Sequence, residues 1–471
     1  MLKKFLIYAI GPITNGIFAL ITLPVLTWYF SQEDIGKFSL LQTLLSLGVL
    51  LFSLDLHQAY VRHYYDIQDK GRLFRQSFYP SFIFSILIIC VIWGIDSLLS
   101  YQLIGWFFHL PDNGLYLYTL ISLTIICLVF INFLSHQLRM SEKVIAYSVT
   151  QALSKGMLLI FVLFGISLFE VLDFKILVLL NTVVTILLVL IFLLISRKNL
   201  YTNFIGDISI KELKILFKFS LPLILGSAAY WGLLSLDRLF LNYYSTLSEI
   251  ALYSISVTVA SSLFLVVSIF STIWHPTLYK WIHNGVDNKK IFCVISNTAC
   301  LAFILWSLFG MLSWVVPLIL PIGYEGIDLL IVSAIALPLF YLMSETTMVG
   351  ISITKKTIYI TISSVCALFI NSILNFYWIP KYGAIGATLA SAASFFLLFI
   401  IRTEASSFLW NRLPRIRIYI LSGIYLSYTV FLLFNEIDIY IRCIVWMILL
   451  IFSIFVFRED LLKVKEVFNR C

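Results

Sequence analysis

The sequence predicts an all-α polytopic membrane protein of about fourteen transmembrane helices, and two observations carry that reading. The 471-residue chain divides into apolar stretches, each near the roughly 20 residues that span a bilayer. Its positive charge also alternates from one connection to the next. Of the 32 Lys and Arg, only Lys37, Lys175, Lys381 and Arg442 fall in or at the edge of odd-numbered connections, and Lys155 and Arg238 fall further inside spans. The others sit in even-numbered connections and at the termini, as Arg62, Lys70, Arg72 and Arg75 do after span two and Arg402, Arg412, Arg415 and Arg417 after span twelve. Lys and Arg collect on the cytoplasmic side, so both termini are read as cytoplasmic. Composition agrees: 12% of the residues are charged and 61% hydrophobic, against about 25% charged in a soluble domain. The net charge of +8 is spread over short segments, which fits topology and anionic headgroups and argues against a nucleic-acid partner.

Taken in order, the expected spans are 5–30, 38–60, 78–99, 115–138, 144–167, 174–196, 217–243, 250–274, 291–315, 327–351, 357–378, 383–402, 416–434 and 438–457. The first follows MLKK but reaches Trp28-Tyr29-Phe30 without a small-residue cleavage site, so it reads as an uncleaved span and not a signal peptide. The connection before span seven contains ISIKELKILFKF, a mildly amphipathic stretch suited to the headgroup layer. No connection is long enough for a folded extramembrane domain. The seven cysteines form no CxxC pair, the six histidines show no metal spacing, and no G-x-x-x-x-G-K-[ST] loop is present. No cofactor is therefore expected.

An internal repeat divides the chain. Trp28-Tyr29-Phe30-Ser31, followed by Asp34-Ile35-Gly36-Lys37-Phe38-Ser39, is echoed by Asn242-Tyr243-Tyr244-Ser245, followed by Glu249-Ile250-Ala251-Leu252-Tyr253-Ser254. Lys4-Phe5 with Pro12 likewise matches Lys218-Phe219 with Pro222. We read an N-lobe over 1–200 (spans one to six), a cytoplasmic linker over 201–216, and a C-lobe over 217–402 (spans seven to twelve). Spans thirteen and fourteen and the tail follow over 403–471. Two six-helix lobes in the same orientation imply a pseudo-twofold axis along the membrane normal, with the site expected between them near mid-membrane.

Several stretches resemble a known family. Leu54-Asp55-Leu56-His57-Gln58-Ala59-Tyr60-Val61-Arg62 is similar to the "LDQAYVR" end of span two in bacterial polysaccharide flippases of the Wzx type. Lys218-Phe219-Ser220-Leu221-Pro222 and Ser235-Leu236-Asp237-Arg238-Leu239-Phe240-Leu241 resemble their span seven, and Ile273-Trp274-His275-Pro276 the end of their span eight. Thr354-Lys355-Lys356-Thr357, Asn371, Asn375 and the run Ile379 to Ala387 resemble spans eleven to twelve. His57-Gln58 is a departure, because the acid is expected beside the glutamine. The resemblance implies the MOP-superfamily fold in a bacterial cytoplasmic membrane. It also implies movement of an undecaprenyl-diphosphate-linked oligosaccharide, such as an O-antigen or capsule repeat unit, to the outer leaflet. Spans thirteen and fourteen would dock the lipid tail or polysaccharide polymerase machinery.

Such a substrate needs cations for its diphosphate and amides or aromatics for its sugars, because unpaired charge is costly in lipid. Lys155 lies twelve residues beyond Lys143, about 18 Å along a helix. It reads as a phosphate contact or as half of a structural salt bridge. Arg238, near the outer end of span seven, either snorkels and pairs with Asp237 or serves an outer gate. Glu345, about 15 Å from Lys355 along span ten, would pair with Lys155, bind a coupling Na⁺ or H⁺, or bond to sugar hydroxyls. Asp55 and Arg62, seven apart, share a helix face: Arg62 marks the boundary or meets diphosphate, and Asp55 gates, couples or pairs. Asn371 and Asn375, four apart, either line a cleft or bond between helices, and Trp231 either stacks on sugar or packs. Asp237 completes the gating or coupling set. A Na⁺- or H⁺-coupled multidrug antiporter is the alternative and should show an acidic, aromatic cleft. A polymerase or glycosyltransferase is disfavoured because neither a sugar-binding domain nor a D-x-D pair is present. Two internal lobes remove the need for a dimer, so a monomer is expected.

Overall fold

A long apolar run without breakers folds as helix in hydrocarbon, because its backbone amides have only their own chain to bond to. The computed structural model describes residues 2–99, 102–110, 114–141, 143–197, 203–285 and 287–468, without the side chains of 2–10, 12, 144 and 463–468. The charges of Lys3, Lys4, Lys198, Lys463, Lys465 and Arg470, and the Phe5 and Pro12 side chains of the repeat, lie outside what is described. The chain is all α. Among the described residues twelve helices are long and apolar enough to cross a membrane, and Ile13–Tyr29 is a shorter apolar one. One of the twelve, Ile358–Leu409, is broken at Gly383 (φ 53°, ψ −128°), where the sequence places the start of span twelve.

Two compact units result, Met1–Trp231 and Gly232–Cys471. The first holds α1 (Leu2–Tyr29), α2 (Gln32–Ser53), α3 (Leu56–Arg62), α4 (Lys70–Leu98), α5 (Gln102–Phe107), α6 (Leu115–Met140), α7 (Val144–Leu168) and α8 (Phe174–Ser196). The most extensive packing is of α1 on α7, followed by α6 on α8. Small residues let these helices close up: a Cβ on Gly11 would meet the Ser148 backbone at 2.8 Å, and one on Gly156 would meet the Phe18 ring at 2.9 Å. The next helix, α9 (Ile210–Tyr244), crosses from the first unit into the second. It is unbroken, so ISIKELKILFKF forms its first turns and is not a separate amphipathic segment. Nothing before Pro222 interrupts it. Residues 204–209 are tied to α4: Tyr79 Oη donates to the Phe204 carbonyl at 2.5 Å, Arg75 Nη1 to that of Ile205 at 2.9 Å, and Gln76 Nε2 to that of Ser209 at 3.3 Å.

The second unit continues with α10 (Leu247–Ser261), α11 (Phe264–His283), α12 (Asn288–Leu312), α13 (Val315–Ile319), α14 (Ile327–Ala334), α15 (Ala336–Thr347) and α16 (Val349–Thr354). It ends with α17 (Ile358–Leu409), α18 (Ile416–Phe434) and α19 (Ile439–Phe468). The helices outside the repeat pack on this unit. α19 lies along α12, with Gly310 against Trp446, and Tyr425 Oη of α18 meets Ser307 Oγ at 2.7 Å and Ser453 Oγ at 2.9 Å.

The repeat has a counterpart in hydrogen bonds. In the first unit Ser31 caps α2 by accepting from the Asp34 amide at 3.1 Å, and Asp34 Oδ1 accepts from the first amide of α8, Phe174 N, at 3.0 Å. In the second, Thr246 caps α10 by accepting from Glu249 N at 3.3 Å. Glu249 Oε2 accepts from Ala384 N, the first amide after the Gly383 break, at 2.6 Å. An acid thus holds a helix N-terminus, a favourable placement for negative charge. Asp34→Ala and Glu249→Ala should each lower stability in detergent by about 1–2 kcal/mol, and Asp34→Asn and Glu249→Gln by less because an acceptor is kept. Thermal or chemical unfolding checks both.

Candidate functional site

The unit ending at Trp231 holds Lys155 in the middle of α7. Its neighbour Ser154 donates to Asn15 Oδ1 of α1 at 3.2 Å, and Gly156 faces Phe18, so α7 is held closely on both sides of the lysine. Lys155 itself is half-buried and, among the described residues, has neither a hydrogen-bond nor an ion-pair partner. Trp231 is half-buried and donates its Nε1 to Ser46 Oγ of α2 at 2.9 Å. Arg62 is 62% exposed and pairs with Asp66 at 3.7 Å. Asp55 does not share a helical face with it. Leu54 and Asp55 both take left-handed backbone (φ 50° and 49°), so the helix is interrupted between α2 and α3. Asp55 is buried there, with Oδ1 3.9 Å from His57 Nε2.

In the second unit, Asp237 of α9 is fully buried and encircled by donors. Asn375 Nδ2 reaches Oδ1 at 2.5 Å and Asn371 Nδ2 at 3.1 Å, while Tyr253 and Ser391 hydroxyls donate to Oδ2. Asn371 and Asn375 do share a face, and that face is turned to Asp237 from one helix turn to the next. Arg238 lies over the Tyr253 ring, 5.4 Å from its centroid, and donates to Ser254 Oγ at 3.1 Å and the Leu234 carbonyl at 3.2 Å. The arrangement joins α9, α10 and both halves of α17 through one carboxylate.

Glu345 of α15 is the centre of a second network in the same unit. Its Oε2 accepts from His275 Nε2 at 3.1 Å and Ser271 Oγ at 3.3 Å, both on α11, and its Oε1 lies 3.7 Å from Arg402 Nη1. Arg402 is 3% exposed and also donates to Ser363, Ser344 and Ser364 at 3.0, 3.3 and 3.4 Å. The sequence reading places Arg402 in a cytoplasmic connection. The structure corrects this: α17 continues to Leu409 and carries the arginine into the unit's interior. The run FFLLFIIRTEASSFL holds no breaker, which is the signal that would have found it.

The profile of a family described as "Polysaccharide biosynthesis protein" matches residues 1–282. The chain belongs to that family. Its fold is similar to that of a structure described as "Lipid II flippase MurJ, inward closed conformation", at TM-score 0.69 and 15% identity, over 97% of this chain and 100% of that one. An inward-facing multidrug resistance MATE transporter of the MOP superfamily aligns at TM-score 0.59 and 14% identity, over 88% and 96%. An outward-facing one aligns at 0.51 and 14%, over 90% and 96%. No curated protein matches the sequence significantly. The polysaccharide biosynthesis family and the MOP-superfamily fold agree with the resemblance drawn from the motifs, and the chain is a multi-pass membrane protein of that family.

His275, Tyr253 and Ser391 escape the sequence reading because each acts on an acid from another helix, from 16 to 154 residues away. Breaking a buried ion pair from one side leaves the other charge unmatched. Arg402→Ala should therefore destabilise the protein by about 3–5 kcal/mol, and combining it with Glu345→Gln should cost less than the sum of the two. Chemical denaturation of the two single variants and the double variant measures the coupling.

Proposed function

We propose that this chain flips an undecaprenyl-diphosphate-linked oligosaccharide repeat unit from the cytoplasmic to the outer leaflet of the bacterial cytoplasmic membrane. It works as a monomer by alternating access, with both termini cytoplasmic, and hands its cargo to polysaccharide polymerase machinery. The observation that carries this reading is Lys155, an ammonium at the middle of an apolar helix without a partner among the described residues. A cation there costs about 2.5–3.5 kcal/mol on insertion scales, so it implies a ligand or a wet cavity. A diphosphate supplies the missing negative charge. Family membership supports the saccharide part of the substrate, and the MurJ structure, described as a lipid II flippase, is a lipid-flipping precedent on the same fold.

An ion gradient drives the cycle in this reading. Asp237, held by the amide nitrogens of Asn371 and Asn375, is the carboxylate at which this reading places a coupling ion, with Asn375 Oδ1 buried and otherwise unpartnered beside it. Glu345, with His275 and Arg402, is a second protonatable centre. Arg62, at the exposed end of α3, meets the diphosphate first, and Trp231 stacks on sugar.

The test is transfer of a fluorescent undecaprenyl-diphosphate oligosaccharide across proteoliposomes. Wild type should transfer it, Lys155→Ala should lose at least about tenfold in rate, and Lys155→Arg should retain most of it, since about 1.4 kcal/mol corresponds to a factor of ten. Vesicles that fail to move the lipid but expel cationic dyes in exchange for Na⁺ or H⁺ would establish the antiporter instead.

A further inference from the structure

The start of α14 and the connection between α18 and α19 enclose a cavity of about 710 Å³ in the second unit. It lies at the end that the sequence reading turns away from the cytoplasm, and neither the repeat nor the carboxylate networks use it. Its size falls within the roughly 300–1,000 Å³ of small-molecule sites. One wall is an ion pair: Arg442 Nη1 of α19 donates to Asp328 Oδ2 of α14 at 2.6 Å, and both side chains are largely buried. Another is the loop 435–438, which is held at both ends. Asn435 Nδ2 donates to the Phe431 carbonyl at 2.8 Å and closes α18, while Asp438 Oδ1 accepts from Tyr440 N at 2.8 Å and opens α19. A lining held in this way pays less to become ordered around a ligand. Glu436 is exposed, and its side chain has neither a hydrogen bond nor an ion pair among the described residues. Asp438 has no ion pair among them either. The Phe434 ring, 48% exposed, lines the cavity and meets Tyr382 edge-on at 5.2 Å between centroids. Leucines of α14 and α18 line the rest.

We propose that this cavity binds a neutral oligosaccharide of about two to four rings, through Glu436, Asp438 and Phe434. A phosphate or an acidic sugar is repelled, because the one cation of the lining, Arg442, is already neutralised by Asp328. A lipid chain gains nothing from carboxylates left without partners. A metal ion or a single ammonium needs acids that converge on a point. Three acids line this cavity, yet among the described residues no three metal-ligating side chains come together. Separated carboxylates suit a ligand that carries donors along its length, as a saccharide carries hydroxyls. Such bonds are charge-assisted and about twice as strong as those between neutral groups. A sugar ring also has an apolar face of C–H groups, which packs on an exposed aromatic ring such as Phe434. The two helices outside the repeat thus carry a saccharide site at their connection, where the sugar of a newly flipped lipid is caught. That capture step rests on the proposed flippase reading; the saccharide site does not.

The full chain in fluorescent lipid nanodiscs, applied to an array of neutral, acidic and amine-bearing bacterial saccharides of about two to four rings, tests the site. Wild type should be retained on neutral saccharides, and Glu436→Ala and Phe434→Ala should each weaken retention by about tenfold. The Glu436 side chain makes no bond within the protein, so Glu436→Ala should unfold at the wild-type temperature. Retention on no neutral saccharide, or equal retention of wild type and both variants, would overturn the site. Retention only on amine-bearing saccharides, lost at high salt, would overturn it in favour of a cation site. Transfer of the lipid-linked oligosaccharide across proteoliposomes separates the two claims. Saccharide retention without transfer refutes the flippase and keeps the site. Transfer at equal rates in wild type and Glu436→Ala refutes the capture step and keeps the flippase.

Discussion

Hydrocarbon offers a polar group nothing to bond to, so each amide and each charge within a span has to find its partner inside the chain. Helices meet that demand for the backbone except at their ends and breaks. There a side chain has to stand in, as Asp34 does for the first amide of α8 and Glu249 for the amide exposed by the Gly383 break. The same demand shapes the carboxylates within spans. Asp237 collects four donors from α10 and the two halves of α17, and Glu345 collects a guanidinium, an imidazole and a hydroxyl. These networks join helices far apart in sequence and so define how the second unit packs. A change to one acid would therefore act on several helices at once.

The two capping arrangements show how a weak sequence signal can accompany a firm physical need. Their sequences share few identities, yet each contains a hydroxyl three residues before an acid. The sequence comparison aligns Ser31 with Ser245, whereas the residue that caps α10 in the way Ser31 caps α2 is Thr246. What is retained is the function of each position: a hydroxyl to begin the helix and a carboxylate to hold a second helix by its N-terminus. Aspartate serves in one unit and glutamate in the other. A comparison by identity undervalues such a pair, and a comparison by hydrogen-bonding role recovers it.

The spans were legible because Lys and Arg mark every second connection and because strand formation is closed to an apolar run of twenty residues. Breaks were legible only where a residue announced them. Gly383, after Pro380-Lys381-Tyr382, is visible as a boundary. Leu54-Asp55 is not, because leucine avoids left-handed backbone and a lone aspartate adopts it only occasionally. Arg402 was misplaced for a related reason: a charge after an apolar run usually ends a span, and here its counter-charge lies on another helix, 57 positions away in sequence. Asn371 and Asn375 were legible as one face, but their common partner, 134 and 138 residues away, was not. Pairings across such distances are absent from local pattern and appear only when the chain is folded.

The distribution of unsatisfied charge bears most directly on the choice of substrate. A binding site for a cationic drug would be expected to keep a carboxylate open to it. Within the described spans Asp237 and Glu345 are instead already surrounded by donors, and Asp55 is shut away beside two histidines. The cations differ among themselves. Arg238 and Arg402 rest on hydroxyls, carbonyl oxygen or carboxylate, while Lys155 has none of these among the described residues. A lysine so placed would be a liability in a helix of purely structural purpose, since an uncharged residue of the same size would pack there at lower cost. Its presence is accounted for, in the proposed reading, if negative charge arrives with the substrate, as the diphosphate of a lipid-linked sugar would supply.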